Sequence, residues 1–254
     1  MASFLAIESA TDVCSVALLK NDHVVIEMAL GTPRAHSENL VPMIQEALEY
    51  GEIKVQDLSG IVVSKGPGSY TGLRIGVSTA KGLAFSHKLD LIGVSSLEGL
   101  ATGAMVHASE GDAILVAFNS RRNEVYLGLF IVSADNSLKP LGQIASLRED
   151  EIAPFISQHL SGESGEPEKY SEKLFIAGEG ALFVEKCLSQ HTIPGKPLVL
   201  PGNLLRPSAG MIATLGAARH KNGLIDALDS FEPFYLNEFI PKSRKKTIFD
   251  RLPF

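Results

Sequence analysis

A glycine-rich stretch, Lys65-Gly-Pro-Gly-Ser-Tyr-Thr-Gly-Leu-Arg-Ile-Gly76, joins an apolar run to a segment with helical periodicity. Backbone N–H groups that are free at such a strand-to-helix turn can bind an anion. The spacing fits neither a P-loop, which needs Gly-Lys-Ser/Thr, nor the dinucleotide fingerprint, whose third glycine would stand at Thr71. A turn that only requires glycine dihedral angles is an equal alternative. The candidate nucleotide or anion site consists of Gly66, Gly68, Gly72 and Arg74.

Two carboxylates, Glu8 and Asp12, flank the first predicted β-turn. They could hold a metal ion in a nucleotide-hydrolysing enzyme, whereas an ordinary turn would have a capping Asp and an exposed Glu. None of the seven histidines stands three or four residues from another, so the sequence has no local two-histidine metal motif. Cys14 lies in a predicted strand and is typical of a buried small side chain. We therefore expect neither a metal site nor nucleophilic catalysis.

The elements that position these residues follow the order βββαβαβα, and a similar order restarts at Ala113. The predicted helices cover 37–50, 72–87, 96–107, 149–159, 181–188 and 208–222, and one short strand is expected near 143–144. We predict an α/β protein with an N-terminal lobe over 1–108 and a C-terminal lobe over 109–207. Helix 208–222 is expected to join the first lobe, and 223–254 form a C-terminal tail.

Composition excludes several classes of protein. The 254 residues are 45% hydrophobic, which provides for a sizeable core, and no apolar run approaches the length of a membrane span. The net charge of −6 argues against a protein that binds the phosphate backbone of a nucleic acid by itself. Two cysteines without a CxxC motif and no signal-peptide pattern indicate the cytoplasm. The basic tail over 242–246 is expected to be a solvated end, with an RNA or partner contact as the alternative.

The sequence resembles the TsaB (YeaZ) family over most of its length. The segments that carry the resemblance are Leu5-Ala-Ile-Glu-Ser-Ala-Thr11, Arg34-Ala-His-Ser-Glu-Asn-Leu-Val-Pro42, the glycine-rich stretch, Ser120-Arg-Arg-Asn-Glu-Val-Tyr126 and Pro233-Phe-Tyr-Leu236. The family usually has Asp-Thr where Glu8-Ser9 stand here. The resemblance implies an actin-like, ribonuclease-H-related fold with two βββαβα lobes.

The resemblance also implies a role in making threonylcarbamoyladenosine in tRNA. In this system the paralogue TsaD transfers the threonylcarbamoyl group to the adenosine beside the anticodon of tRNAs that read codons beginning with A, and TsaE is an ATPase. TsaD carries two metal-binding histidines four residues apart, and the matching positions here are Ser96 and Leu100. Serine is a poor ligand for a transition metal and leucine is none. We therefore expect a catalytically inactive subunit, with the metal in TsaD.

A stripe of small residues in helix 72–87, formed by Gly76, Ala80 and Ala84, could let another helix approach closely, although packing inside one lobe would explain it equally. On the resemblance, we expect binding of TsaD through this lobe, a homodimer when TsaD is absent, TsaE as a further partner, and tRNA contact only through the complex. The predicted partner surface consists of His36, Leu40, Ile44, Leu73, Gly76, Ala80 and Ala84.

Two other hypotheses stay open at this stage. The first is an enzyme of the same superfamily, either a weak nucleotide hydrolase that uses Glu8, Asp12 and the glycine-rich turn, or a metallopeptidase-like protein. The second is an RNA-binding module that works through the tail. No cofactor is expected in the chain itself, but ATP or ADP could bind at an interface of the complex.

Overall fold

The computed structural model describes residues 2–32, 34–120, 123–160, 173–202 and 206–236. The N-terminal sheet has the order β3-β2-β1-β4-β5, in which β1 is antiparallel to β2 and parallel to β4. Its strands are β1 Ser3–Glu8, β2 Cys14–Lys20, β3 His23–Leu30, β4 Gly60–Gly66 and β5 Asp90–Ser95. Helices α1 (Ala35–Tyr50) and α2 (Tyr70–His87) pack on one face of this sheet and bury its main apolar cluster.

The C-terminal sheet repeats this plan. Its order is β11-β10-β6-β7-β8, with β9 also paired to β7, and β6 is antiparallel to β7 and parallel to β10. Its strands are β6 Ala113–Asn119, β7 Glu124–Val132, β8 Leu138–Pro140, β9 Ala145–Arg148, β10 Lys173–Ala177 and β11 Lys196–Val199. Helices α4 (Glu149–Leu160) and α5 (Ala181–Leu188) pack beside it. The two matching orders confirm the actin-like fold with two βββαβα lobes.

The last helix of each half packs against the sheet of the other half. Helix α3 (Ser96–Ala104) buries Leu97 and Leu100 with side chains of the C-terminal sheet, and helix α6 (Ala209–Lys221) buries Ile212 with those of the N-terminal sheet. The two helices meet where Gly99 lies against Ile212. Sequence periodicity predicted both helices, and α6 packs on the N-terminal sheet. The crossing of α3 to the other sheet was not predicted.

Apart from helix ends that shift by one or two residues, the structure differs from the prediction in three places. The helix expected over 96–107 ends at Ala104 and continues as one 3-10 turn over Met105–His107. The strand expected near 143–144 is displaced, since β8 and β9 lie on either side of it. Residues 223–236 are not a free tail, because Asp226 pairs with Leu91 on β5 and Phe231 is buried in the N-terminal core. The basic residues of 242–246 lie outside the described residues.

Candidate functional site

The glycine-rich turn wraps around the β1–β2 turn. The Ser69 N–H donates a hydrogen bond of 2.6 Å to the carbonyl oxygen of Ala10. A Cβ atom at Gly68 would collide with that same oxygen, and one at Gly72 would collide with the carbonyl oxygen of Ser9. Gly66 has a φ of 101°, a conformation that favours glycine. These glycines are therefore needed for close backbone contact, which supports the structural alternative for this motif.

Arg74 faces residues 224–236, which we call the C-terminal segment. Its guanidinium lies 4.1 Å from the centre of the Tyr70 ring, which in turn packs on the ring of Tyr235 with 4.9 Å between centroids. A hydrogen bond that Arg74 donates to Tyr235 is the main cause of a raised pKa for the guanidinium. The expected anion site is thus only partly assembled, because Gly72 lines the nearby cleft whereas Arg74 is held against two aromatic rings.

This cleft has a volume of about 420 Å³ and lies beside the N-terminus of α2. Its lining residues are Thr11, Asp12, Gly31, Thr32, Arg34, His36, Ser37, Ser69, Thr71, Gly72 and Ile75. The Nε2 atom of His36 is buried without a hydrogen-bond partner, and burial lowers the pKa of this ring. Asp12 and the hydroxyl groups of the lining serines and threonines offer polar contacts to a ligand in this cleft.

The sequence suggested that Glu8 is either a metal ligand or an exposed residue of a turn, and the structure shows neither. Its side chain is fully buried, and its Oε1 accepts hydrogen bonds from the Ala10 N–H at 2.7 Å and from the Ser96 hydroxyl at 3.2 Å. Burial raises the pKa of Glu8 to about 7. Asp12 lines the cleft instead, so the two carboxylates do not converge on one site.

Ser96 and Leu100, which the resemblance matches to the metal-binding histidines of TsaD, do not fit a transition metal. The Ser96 hydroxyl is committed to Glu8, and Leu100 is fully buried in the apolar cluster between α3 and the C-terminal sheet. An apolar side chain offers no ligand atom, and a metal there would lie in a dry, close-packed core. Within the described residues, no group of three or more His, Cys, Asp or Glu could hold a metal ion.

The predicted partner surface needs correction, because its side chains lie inside the N-terminal lobe. Its apolar members Leu40, Ile44, Leu73, Ala80 and Ala84 are all buried. Gly76 is buried as well, and a Cβ there would collide with the Ser9 hydroxyl. The small face of α2 therefore brings this helix close to β1 rather than to another protein. His36 is half-buried in the cleft.

The contact between the C-terminal segment and α2 was missed by sequence reasoning. The Phe234 N–H donates to the Lys65 carbonyl oxygen at 2.6 Å, and the Lys81 ammonium donates to the Phe231 carbonyl oxygen at 3.0 Å. The signal was present in Pro233-Phe-Tyr-Leu236, where three large apolar or aromatic residues follow a proline. Arg121 and Arg122 lie outside the described residues.

A family model described as TsaD: tRNA N6-adenosine threonylcarbamoyltransferase matches residues 31–231. The tRNA threonylcarbamoyladenosine biosynthesis protein TsaB of Haemophilus influenzae is 30% identical over 243 residues, which are 92% of this chain and 93% of the relative. TsaB of Escherichia coli is 35% identical over 159 residues, 63% of this chain and 68% of the relative. The solved structure of YeaZ from Pseudomonas aeruginosa superimposes with a TM-score of 0.75 at 26% identity, covering 93% of this chain and 100% of that one.

Similarity to the transferase itself is more limited. The tRNA N6-adenosine threonylcarbamoyltransferase of Syntrophus aciditrophicus is 33% identical over 111 residues, 37% of this chain and 33% of the relative. No helix in the described part of the chain is long and apolar enough to cross a membrane. Because the similarity to TsaB extends over nearly the whole chain, the chain belongs to the TsaB (YeaZ) family, whose members take part in the biosynthesis of threonylcarbamoyladenosine in tRNA.

Proposed function

We propose that this chain is a non-catalytic subunit that binds and activates TsaD, the transferase of threonylcarbamoyladenosine biosynthesis. The single observation that carries the proposal is the environment of Ser96 and Leu100. The first side chain is used in a buried hydrogen bond to Glu8, and the second is part of the core. A protein with the fold of a transferase but without the ligands of its metal is suited to support a catalytic paralogue.

The outer faces of α1 and α2 are the surface we assign to TsaD. On α2, Thr71, Arg74 and Ser78 are exposed at helical spacing, while the opposite face packs on the sheet. On α1, Val41 is 53% exposed, and at the end of α2 Phe85 is 75% exposed. Exposed apolar side chains on adjacent helices support a protein interface. In the absence of TsaD, the same faces of two copies form a homodimer.

The other members of the complex follow from the same proposal. TsaE is the ATPase partner, tRNA contacts this chain only through the complex, and the metal is held by TsaD. The chain needs no cofactor of its own. ATP or ADP binds at an interface of the complex, and the polar cleft beside α2 adjoins the surface assigned to TsaD because both include Thr71.

Nucleotide hydrolysis by the chain alone is the second candidate function, and the cleft is the observation that favours it. The cleft combines a helix N-terminus, the Asp12 carboxylate and His36, and these groups could contact a phosphate and an attacking water. The acidic neighbour disfavours a phosphate unless a cation accompanies it. Metal-dependent ATP turnover by the purified chain, abolished by Asp12→Asn, would favour this candidate over the first.

The binding claim is tested by co-purification of the full chain with its cognate TsaD. We expect a stoichiometric complex with the wild type and with Glu185→Gln, a change of an exposed side chain on α5 in the other lobe. Val41→Glu and Ser78→Glu should weaken the complex at least about tenfold, because each places a charge in a desolvated contact. Unchanged affinity of both variants would contradict the proposed surface. Failure of the wild type to bind TsaD would contradict the proposed function.

A further inference from the structure

Glu8 is the last residue of β1, and the first residue of α3, Ser96, lies beside it. Its Oε1 receives the Ala10 N–H and the Ser96 hydroxyl, while Oε2 is buried and has no hydrogen-bond partner. A carboxylate in this position would carry a full charge away from water with one oxygen unpaired. A protonated, neutral Glu8 would leave one uncharged polar group without a partner, which costs less free energy than a buried unpaired charge.

The surroundings of Glu8 contain hydroxyl, amide and thiol groups rather than cations. Ser9 and Ala10 lie in its own turn, Ser64 lies on β4 and Ser96 on α3, and the polar groups of these residues lower the pKa of Glu8 by less than burial raises it. On β2, burial and the Glu8 charge raise the pKa of the Cys14 thiol to about 11. Among the described residues, no Lys, Arg or His contributes to the pKa of Glu8. Nothing positive therefore compensates an ionised Glu8.

Ser96 lies where β5 of the N-terminal sheet passes into α3, the helix that packs on the C-terminal sheet. Ser96 is the first residue of α3, and this helix packs Leu97 and Leu100 against the C-terminal sheet. Glu8 belongs to the central strand of the N-terminal sheet. The bond from Ser96 to Glu8 thus joins the core strand of one lobe to the helix that is packed on the other.

We propose that Glu8, as a neutral acid, and Ser96 form a buried tie between the end of β1 and the start of α3, the helix that packs on the C-terminal sheet, and that ionisation of Glu8 opens this tie to water. The folded state then favours the protonated acid, whereas in the unfolded chain Glu8 has the ordinary pKa of 4.5. The stability contribution of Glu8 is consequently lost as the pH rises from about 4.5 towards about 7. The tie does not depend on whether the chain activates TsaD.

The test compares thermal unfolding and amide hydrogen exchange of the full chain from about pH 5 to about pH 8.5. For the wild type, we expect the Tm to fall across this range by at least about 4 °C more than for Glu8→Gln, which is neutral at every pH. Exchange of the amides of 96–104 should accelerate with rising pH beyond the intrinsic rate in the wild type but not in Glu8→Gln. Parallel pH profiles of the two proteins would overturn the proposal.

Two serines at the start of α3 provide a matched pair. Ser96→Ala removes the hydroxyl that favours the ionised acid, so the midpoint of the pH dependence should move to higher pH. Ser95 instead accepts the Glu98 N–H as the cap of α3, so Ser95→Ala should lower stability equally at all pH values. Equal effects of the two substitutions on the midpoint would contradict the tie. If Glu8→Gln does not fold, the test is NMR of the assigned Glu8 carboxyl in the wild type: a pKa near 7 supports the proposal, and the ordinary pKa of 4.5 overturns it.

Discussion

The carbonyl oxygen of Ser9 lies against the Cα atom of Gly72, at a distance that leaves no room for a side chain. This contact joins the β1–β2 turn to the first turn of α2. In the glycine-rich stretch, Gly68 and Gly72 allow the backbone to pack directly against the backbone of the β1–β2 turn.

Gly72→Ala should therefore destabilise the protein. We expect a loss of about 1–3 kcal/mol in the free energy of unfolding, since the added methyl group must displace the Ser9 backbone. Gly82 is the control on the same helix, because a Cβ there meets nothing within 4 Å. Gly82→Ala should be neutral or stabilising by up to about 1 kcal/mol. Denaturant unfolding of both variants checks this, and equal effects would show that the Ser9 contact is unimportant.

The two faces of α2 should respond differently to charge. Ala80 is fully buried, so Ala80→Glu should cost about 3 kcal/mol or more in stability through an unpaired buried charge. Ser78 is exposed two residues earlier, and Ser78→Glu should leave the unfolding transition nearly unchanged. Circular dichroism melts measure both. A stable Ala80→Glu variant would mean that this face is not core and would restore the original sequence prediction.

That prediction shows where sequence reasoning reaches its limit. Apolar periodicity was sufficient for α1, α2 and α6, because each buries one face on a sheet, and the repeated element order indicated two related lobes. Periodicity cannot say what covers a small-residue face, so it predicts a partner surface at Ala80 and Ala84 although both are buried in the N-terminal core. Burial of Glu8 was equally invisible, since it depends on α3, which is distant in sequence.

Arg74 should hold the C-terminal segment in place. Arg74→Ala removes the cation over Tyr70 and the hydrogen bond to Tyr235. We expect faster proteolysis within 224–236 and little change in the Tm, because this guanidinium lies at the surface. Arg34, an exposed residue paired with Glu38, supplies the control, and Arg34→Ala should not alter the cleavage rate. Weaker nucleotide binding with an unchanged cleavage rate would favour the anion-site hypothesis instead.

Arg219 should contribute more to stability than the other ion pairs of α6. Its guanidinium donates to the Gly93 carbonyl oxygen at 2.9 Å and to Glu98 at 2.7 Å, and so joins β5, α3 and α6. Because both partners are mostly buried, Arg219→Met should cost about 1–3 kcal/mol. Lys221 forms an exposed pair with Asp22, and Lys221→Met should cost at most about 1 kcal/mol. Similar losses in chemical unfolding would contradict a role for Arg219 in joining β5, α3 and α6.

The proposed function requires that this chain activate TsaD without doing chemistry itself. The direct measurement is the rate of threonylcarbamoyladenosine formation on tRNA by cognate TsaD and TsaE, supplied with the threonylcarbamoyl adenylate, with and without this chain. We predict a strong dependence on the chain, the same rate with Asp12→Asn, and no modification by the chain alone. Modification that proceeds equally without the chain would contradict activation of TsaD. Modification that is abolished by Asp12→Asn in an intact complex would contradict a non-catalytic role.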